Sequence, residues 1–274
     1  MPSTLALAYS NNLVFRPTPH AAINFSRGGY TVKTVTSRRE LLQVLRLRYD
    51  VFHREYKNKK FPFGIDKDRY DSFADHLVIV DDKSRRIVGT YRMIPSTRGS
   101  EFYSASEFDI SAVVALPGIK VELSRACIAR DFRNGVVISL LWRGLVQYVQ
   151  QTGADYLFGM GSVKTLATDE ILATYRELSS QGAISDQIWV PTVGKYRVDA
   201  VTQAIIAGID SHPVSQQGSA PAASLIPTLL RSYIKAGAKV CGEPAVDRDF
   251  NCTDFFTLLD MSSVSKAYER KFLQ

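Results

Sequence analysis

Two residues of opposite charge stand three apart in an otherwise apolar segment, Val121-Glu-Leu-Ser-Arg-Ala-Cys-Ile128. Glu122 can take a proton and Arg125 can hold an anion, but a regular strand points residues three apart to opposite faces. A bulge between them would bring both to one side and leave a backbone N–H as a donor for a developing oxyanion. The same pair also fits an ion pair within a sheet, and spacing alone does not separate the two. A few residues on, Arg133-Asn134-Gly135 stands directly before an apolar run of helical period. Glycine permits close backbone approach, and a helix N-terminus offers free N–H groups to an anion such as phosphate. Many helices begin after a glycine, so this signal is weak by itself.

Other charges call for partners. Leu41, Leu45, Arg48 and Phe52 fall on one stripe of a helix expected over about 38–56, which puts Arg48 where an apolar residue belongs. A charge there is costly unless paired, so either a carboxylate meets it or it snorkels at the stripe's edge. Carboxylates are on offer in Asp66-x-Asp68-x-x-Asp71, within a polar loop from Lys57 to Phe73 that holds Pro62 and Gly64. A further guanidinium stands in Gly89-x-x-Arg92. His53 and His76 have no paired serine or cysteine to activate and read as structural. Cys127 reads as a small buried residue. The three cysteines form no Cys-x-x-Cys or Cys/His spacing, so no metal site is expected.

These residues need elements to position them. Tyr30–Val35 alternates as a strand does, and Ser37-x-x-Glu40 forms a capping box for the 38–56 helix. Strands at 76–80 and 86–94 join through Asp81-Asp82-Lys83-Ser84, a short irregular or helical piece covers 102–108, and a strand spans 119–128. A helix over 136–150, a strand at 156–160 and a helix capped by Thr168 follow. Beyond a loop at 212–223, Ser224 caps a helix to Ala236 with Gly237 as terminator. A strand at 254–259 and a basic terminal helix close the chain. The alternation predicts an α+β fold, a mixed α/β sheet with helices on both faces. Residues 1–29 read as a leader, surface-packed or disordered, and 30–274 as a single domain with a C-terminal extension from about 200.

The bulk numbers bound the function. The 274 residues carry a net charge of +7, and no apolar run approaches the roughly 20 residues that cross a bilayer. The start lacks the basic n-region of a signal peptide, so a cytoplasmic protein with reduced thiols is expected. Between Arg38 and Lys60 eight Lys/Arg face three Asp/Glu. Such a patch suits an acidic protein, anionic lipid, a phosphate-bearing ligand or nucleic acid, and equally a solvated helix face. No helix-turn-helix, zinc knuckle or aromatic RNA-binding motif is present, so nucleic acid is not an expected partner.

Taken in order, Leu47-Arg48-x-x-Val51-Phe52, the three aspartates, Gly89-x-x-Arg92, Glu122-x-x-Arg125 and Arg133-x-Gly135 form a series. That series resembles the acyl-carrier-protein-dependent branch of the GNAT acyltransferases, which includes the acyl-homoserine-lactone synthases. Leu141-Trp-Arg-Gly144 and the segment from Ile226-Pro227 to Asp249-Phe250 look more like the hemolysin-like proteins, whose characterised members are ornithine-lipid N-acyltransferases. The resemblance implies a GNAT-like fold with splayed central strands and an amide-forming transfer of a long-chain acyl group, 3-hydroxylated or not, to the α-amine of an amino acid, ornithine first. N-acylation of glycine or tyrosine, lactone synthesis and a basic binding protein are the alternatives. It further implies Glu122 as general base, directly or through water. Arg125, Arg92 and Arg48 would form an ion-pair network with Asp68 and Asp71 that shapes the acceptor side together with Phe52, or the aspartates would contact the acceptor's amines. Arg133, Asn134 and Gly135 would receive the single phosphate of a phosphopantetheine arm. The GNAT pyrophosphate loop usually ends in a second small residue, where this chain has valine. That departure suits acyl carrier protein, an acidic partner for the 38–60 patch, with no bound cofactor. An amphiphilic product implies work at the inner face of a membrane. The apolar side of the 224–236 helix and Lys266, Arg270 and Lys271 would touch it, with ordinary packing and solvation of those residues as the alternative.

Overall fold

The computed structural model describes residues 19–57, 63–208 and 224–264. It divides into two compact units, one holding the described residues up to Glu101 with Val121–Ala154, the other Phe102–Lys120 with the described residues from Asp155 onward. Both combine strands and helices, the expected α+β class.

The first unit is an antiparallel meander of β1 (Asn24–Arg27), β2 (Tyr30–Thr34), β3 (Asp75–Asp81), β4 (Arg86–Pro95) and β5 (Lys120–Ile128), in that spatial order. β1 lies inside the stretch read as a leader. Its NFSR sequence has little apolar periodicity, and it is a strand because Gly28 and Gly29, both at positive φ, turn it back onto β2. Helix α1 (Arg38–Tyr49) covers one face of this meander, its Leu41, Val44 and Leu45 buried with Val78, Ile87 and Cys127. Ser37 caps it as expected, accepting from Glu40 N–H at 3.3 Å. The Glu40 carboxylate turns instead to Thr36 N–H and Lys33, so the reciprocal half of the capping box is not made. Past Tyr49 the helix widens into a π-helical turn, Asp50–Tyr56, a departure that sequence period does not signal and that recurs at functional sites.

Helix α3 (Val136–Thr152) lies on the opposite face, after the short α2 (Ser111–Val114) of the second unit. Glycines set the distance. A Cβ on Gly144 would come within 2.8 Å of Leu77 and 2.9 Å of Val32, and one on Gly89 within 2.6 Å of Val137. Helix and sheet therefore approach closely, and the first turn of α3 rests on the β4 backbone.

In the second unit β9 (Cys252–Asp260) pairs antiparallel with β6 (Tyr156–Val163), β7 (Lys239–Val240) and β8 (Ala245–Asp247). α4 (Thr168–Ser180), α5 (Asp199–Ile206) and α6 (Thr228–Ala236) pack there around Leu178, Val201, Leu230 and Phe255. Thr168 is the first helical residue of α4 and not its cap. The hydroxyl of Thr165 takes Ala167 N–H instead. α6 starts at Thr228, four residues after Ser224, because Pro227 disfavours helical backbone at Ile226. Gly237, at φ 112°, ends it as expected. Leu230 is buried against Gly161, so the apolar side of α6 packs into this core, the ordinary packing expected as the alternative to membrane contact. The 212–223 loop, the terminal helix, Lys266, Arg270 and Lys271 lie outside the described residues, as do Lys59 and Lys60. Among the described residues no helix is long and apolar enough to cross a membrane.

Candidate active site

Four segments of the first unit bring their charged residues to the α1 face of the meander. His76, Arg92 and Ser124 are register partners across β3, β4 and β5, so their side chains share a face. Glu122, two residues from Ser124, belongs to that face and is fully buried. α1 delivers Arg48 from above, with 0% of its side chain exposed. The loop before β3 supplies Asp66, Asp68 and Asp71.

Arg125 reaches this face through a bulge. Thr90 pairs with Cys127 and Arg92 with Ser124, so Tyr91 stands opposite both Arg125 and Ala126. Arg125 itself adopts φ 54°, a left-handed conformation uncommon for a residue with a branchless but long side chain. The extra residue resets the alternation and directs Arg125 toward the aspartates, as the sequence required if Glu122 and Arg125 were to share a side. Strain of this kind persists where surrounding contacts over-determine it. Here the guanidinium donates to Asp68 Oδ2 at 3.2 Å, stands 3.6 Å from Asp66 and lies over the Phe52 ring at 5.8 Å.

The result is three arginines against three aspartates. Arg48 donates to Asp66 Oδ2 at 2.8 Å and Asp71 Oδ1 at 2.5 Å. Arg92 donates to both oxygens of Asp68, at 2.6 and 2.7 Å, to Asp71 at 3.3 Å and to Ser124 Oγ at 2.9 Å. The aspartates are ordered locally as well. Asp68 caps a 3-10 turn (Arg69–Ser72) by accepting from Tyr70 N–H, and Asp71 returns to accept from Asp68 N–H at 2.9 Å. The charges cancel, and that cancellation is what lets such a cluster sit in low dielectric. Burial pushes the Asp66 carboxyl up, but Arg48 and Arg125 outweigh it and hold it at about 2. Asp71 ends well below the usual carboxylate range, because Arg48 and Arg92 overcome its burial.

Arg48 thus finds its carboxylates, and the expected network of Arg48, Arg92 and Arg125 with Asp68 and Asp71 is present. Asp66 and two histidines join it. His53 Nε2 is 3.0 Å from Asp66 Oδ1, carried there by the π-helical turn. His76 is buried, 3.8 Å from Asp71, and neither ring nitrogen has a hydrogen-bond partner among the described residues. Asp66 was legible in the loop's spacing. A histidine on an apolar strand carries no such signal.

Burial drives the His76 imidazole down to about 4, with Arg48 and Arg92 adding to the shift and Asp71 opposing it. The unfolded chain therefore binds a proton near pH 6.5 that the folded chain refuses until about 4. Stability should fall as pH drops from 6.5 to 4, by on the order of 3 kcal/mol. His76→Gln should flatten that limb in denaturant titrations. An unchanged slope would mean His76 is not the titrating group.

The remaining expected residues gather at the first turn of α3. Asn134 Oδ1 accepts from Val136 N–H at 3.1 Å, and Gly135 caps the helix at φ 87°. The N–H groups of Val137 and Ile138 have no intrahelical acceptor, and Ser139 N–H donates to Gly135 O at 3.3 Å. Arg133 donates to Ile128 O at 3.0 Å and pairs with Glu55 at 2.8 Å. Cys127, pushed up to about 12 by burial, is no nucleophile. In the second unit Asp247, Cys252 and Asp254 bring three donor atoms within 4.8 Å of one another. Burial drives both the Cys252 thiol and the Asp254 carboxyl upward, so that group retains protons that a metal would have to displace.

Residues 47–143, which span most of this cluster, match the family model described as an acetyltransferase (GNAT) domain. The chain is 30% identical over 278 residues to the L-ornithine N(alpha)-acyltransferase of Agrobacterium fabrum, with 94% of this chain and 92% of that protein covered. It is 30% identical over 236 residues to the enzyme of the same name from Rhizobium meliloti, covering 81% and 77%. Among solved structures, the CoA-dependent acyl-homoserine lactone synthase MesI aligns with a TM-score of 0.47 at 15% identity, over 86% of this chain and 89% of that one. An identity that runs through nearly the whole chain, both units included, places it: the protein is an acyltransferase and belongs to the L-ornithine N(alpha)-acyltransferase family.

Proposed function

We propose that the protein transfers a long-chain acyl group, 3-hydroxylated or not, from acyl carrier protein to the α-amine of L-ornithine, giving an N-acyl amino acid. The observation that carries the acceptor's identity is which members of the network reach solvent. Arg48, Arg92 and Asp71 are fully buried, whereas the side chains of Asp68 and Arg125 keep 22% and 12% exposure. A carboxylate and a guanidinium are thus presented side by side to an incoming zwitterion. Arg125 suits the acceptor's carboxylate and Asp68 the second ammonium that ornithine carries and glycine lacks, with Phe52 beneath. The names of the relatives point the same way.

Only the neutral amine attacks a thioester, and Glu122 is the base that accepts the proton as the amide forms and the pantetheine thiol leaves. Its full burial sets a condition: the proton travels through water and not by direct contact with the amine. The first turn of α3 receives the phosphate of the pantetheine arm on the N–H groups beside Asn134 and Gly135. Arg133 then exchanges Glu55 for the phosphate. That surface pair is about a third exposed on both sides, so breaking it costs roughly 0–1 kcal/mol. The product is an amphiphile, which fits work at the inner face of a membrane.

Incubation with a panel of acyl carrier protein thioesters and all common amino acids plus ornithine, read by mass, tests this. A new mass for N-acyl-ornithine is expected. Acylation of another amino acid, or transfer only from acyl-CoA, overturns the reading.

A further inference from the structure

The phosphate of a pantetheine arm joins the arm to a serine of its carrier, so it lies at the carrier's own surface. If the first turn of α3 holds that phosphate, the carrier must rest on whatever surrounds that turn. Register identifies the surroundings. Gly89 of β4 backs Val137, and Ala129 N–H donates to Val88 O at 2.8 Å, so the start of β4 and the β3–β4 turn lie beside the start of α3. The β1–β2 turn joins them, since Asp82 N–H donates to Gly29 O at 3.0 Å and Tyr30 meets Phe132 edge-on at 6.5 Å.

This rim is basic where it faces outward. Lys83, Arg85, Arg86 and Arg130 are exposed there. Of its acids, Asp81 accepts from Ser84 and Asp82 from Thr31, bonds that leave both carboxylates charged but half-buried. Asp131 is exposed, so four exposed cations stand with one exposed carboxylate. In the 38–60 segment Arg48 is consumed in the buried network and Arg54 pairs with Asp50 at 2.9 Å. The exposed Arg38, Arg39 and Arg46 lie on α1, across the sheet from the first turn of α3.

We propose that the acyl carrier protein docks on this rim, its acidic surface meeting Lys83, Arg85, Arg86 and Arg130 around the first turn of α3. The inference rests on the phosphate-binding reading above. Long-range attraction between such faces raises the encounter rate and weakens with salt.

The test compares Lys83→Glu/Arg86→Glu, and Lys83→Glu alone, with Arg38→Glu/Arg46→Glu, which makes the same charge change on the exposed side of α1. Each is assayed with acyl carrier protein and with a short acyl-pantetheine thioester. The rim double variant should raise KM for the carrier about ten-fold, with the single variant in between and the α1 variant within about two-fold of wild type. Rates on the pantetheine thioester should be unchanged throughout, which also shows that the variants fold. Equal effects at rim and α1, or none at the rim, overturn the docking surface while leaving the enzymatic reading intact. No turnover of the carrier thioester by the wild type sinks that reading, and the docking inference with it.

Discussion

Glu122→Gln should leave the fold standing and lower the rate of acyl transfer by about 10²–10⁴-fold. Glutamine has the volume of the buried glutamate and keeps hydrogen-bonding capacity, so the change removes little besides the capacity to take a proton. The pH profile separates this from a structural lesion. In the variant the rate should climb with pH as the acceptor's free-amine fraction grows, whereas the wild type, supplied with a base, should depend on pH less steeply. Circular dichroism and denaturant midpoints check the fold, and single-turnover assays with the acyl donor check the chemistry. A rate near wild type would remove Glu122 as the base, and a variant that loses rate equally at every pH would point to positioning instead.

The second large effect concerns stability. Arg48→Met replaces a fully buried cation with an apolar side chain of similar length and leaves Arg92 and Arg125 as the guanidiniums beside Asp66 and Asp71. Removing one partner of a buried ion pair costs about 3–5 kcal/mol, because the other charge stays buried without compensation. Asp71 loses its nearest cation, so its carboxyl should rise toward the ordinary range and take up a proton on acidification. The gap between variant and wild type should therefore narrow as pH falls. Arg48→Met/Asp71→Asn should recover part of the loss, since deleting both charges leaves neither stranded. Urea denaturation at pH 7 and pH 4 on all three proteins decides it. A single variant within about 1 kcal/mol of wild type would mean that Arg48 contributes little beyond packing.

The two expectations draw on different parts of what could be read from the chain. The elements were legible because their causes are local. Leu41 and Leu45 repeat at helical spacing, β3 and β4 are joined by a turn of polar residues, and Gly237 stops α6 where glycine should. Within the stretch read as a surface-packed or disordered leader, Asn24–Arg27 carry no strand pattern and form β1 through pairing with β2. Ser224 and Thr168 were placed as caps by residue type; Pro227 and Ala167 stand at those positions, with Ala167 N–H bonded to the Thr165 hydroxyl. Glu40 likewise turned to Lys33 and to Thr36 N–H in place of the Ser37 N–H it was expected to meet.

The site divides the same way. Residue types established that Arg48 on an apolar stripe and Glu122 with Arg125 in an apolar strand call for opposite charges. That they belong with Arg92 and the aspartates was implied by the resemblance of the series. Which charges meet was left to the tertiary structure. The bulge at Arg125, the π-helical turn that carries His53 to Asp66, the neutral His76 beside Asp71 and the turn of α6 into its own core each depend on contacts between segments far apart in the chain. Local preference fixes the period of an element and the sign of its charges. Burial and pairing, which belong to the assembled chain, decide where each charge points and whether it keeps its proton.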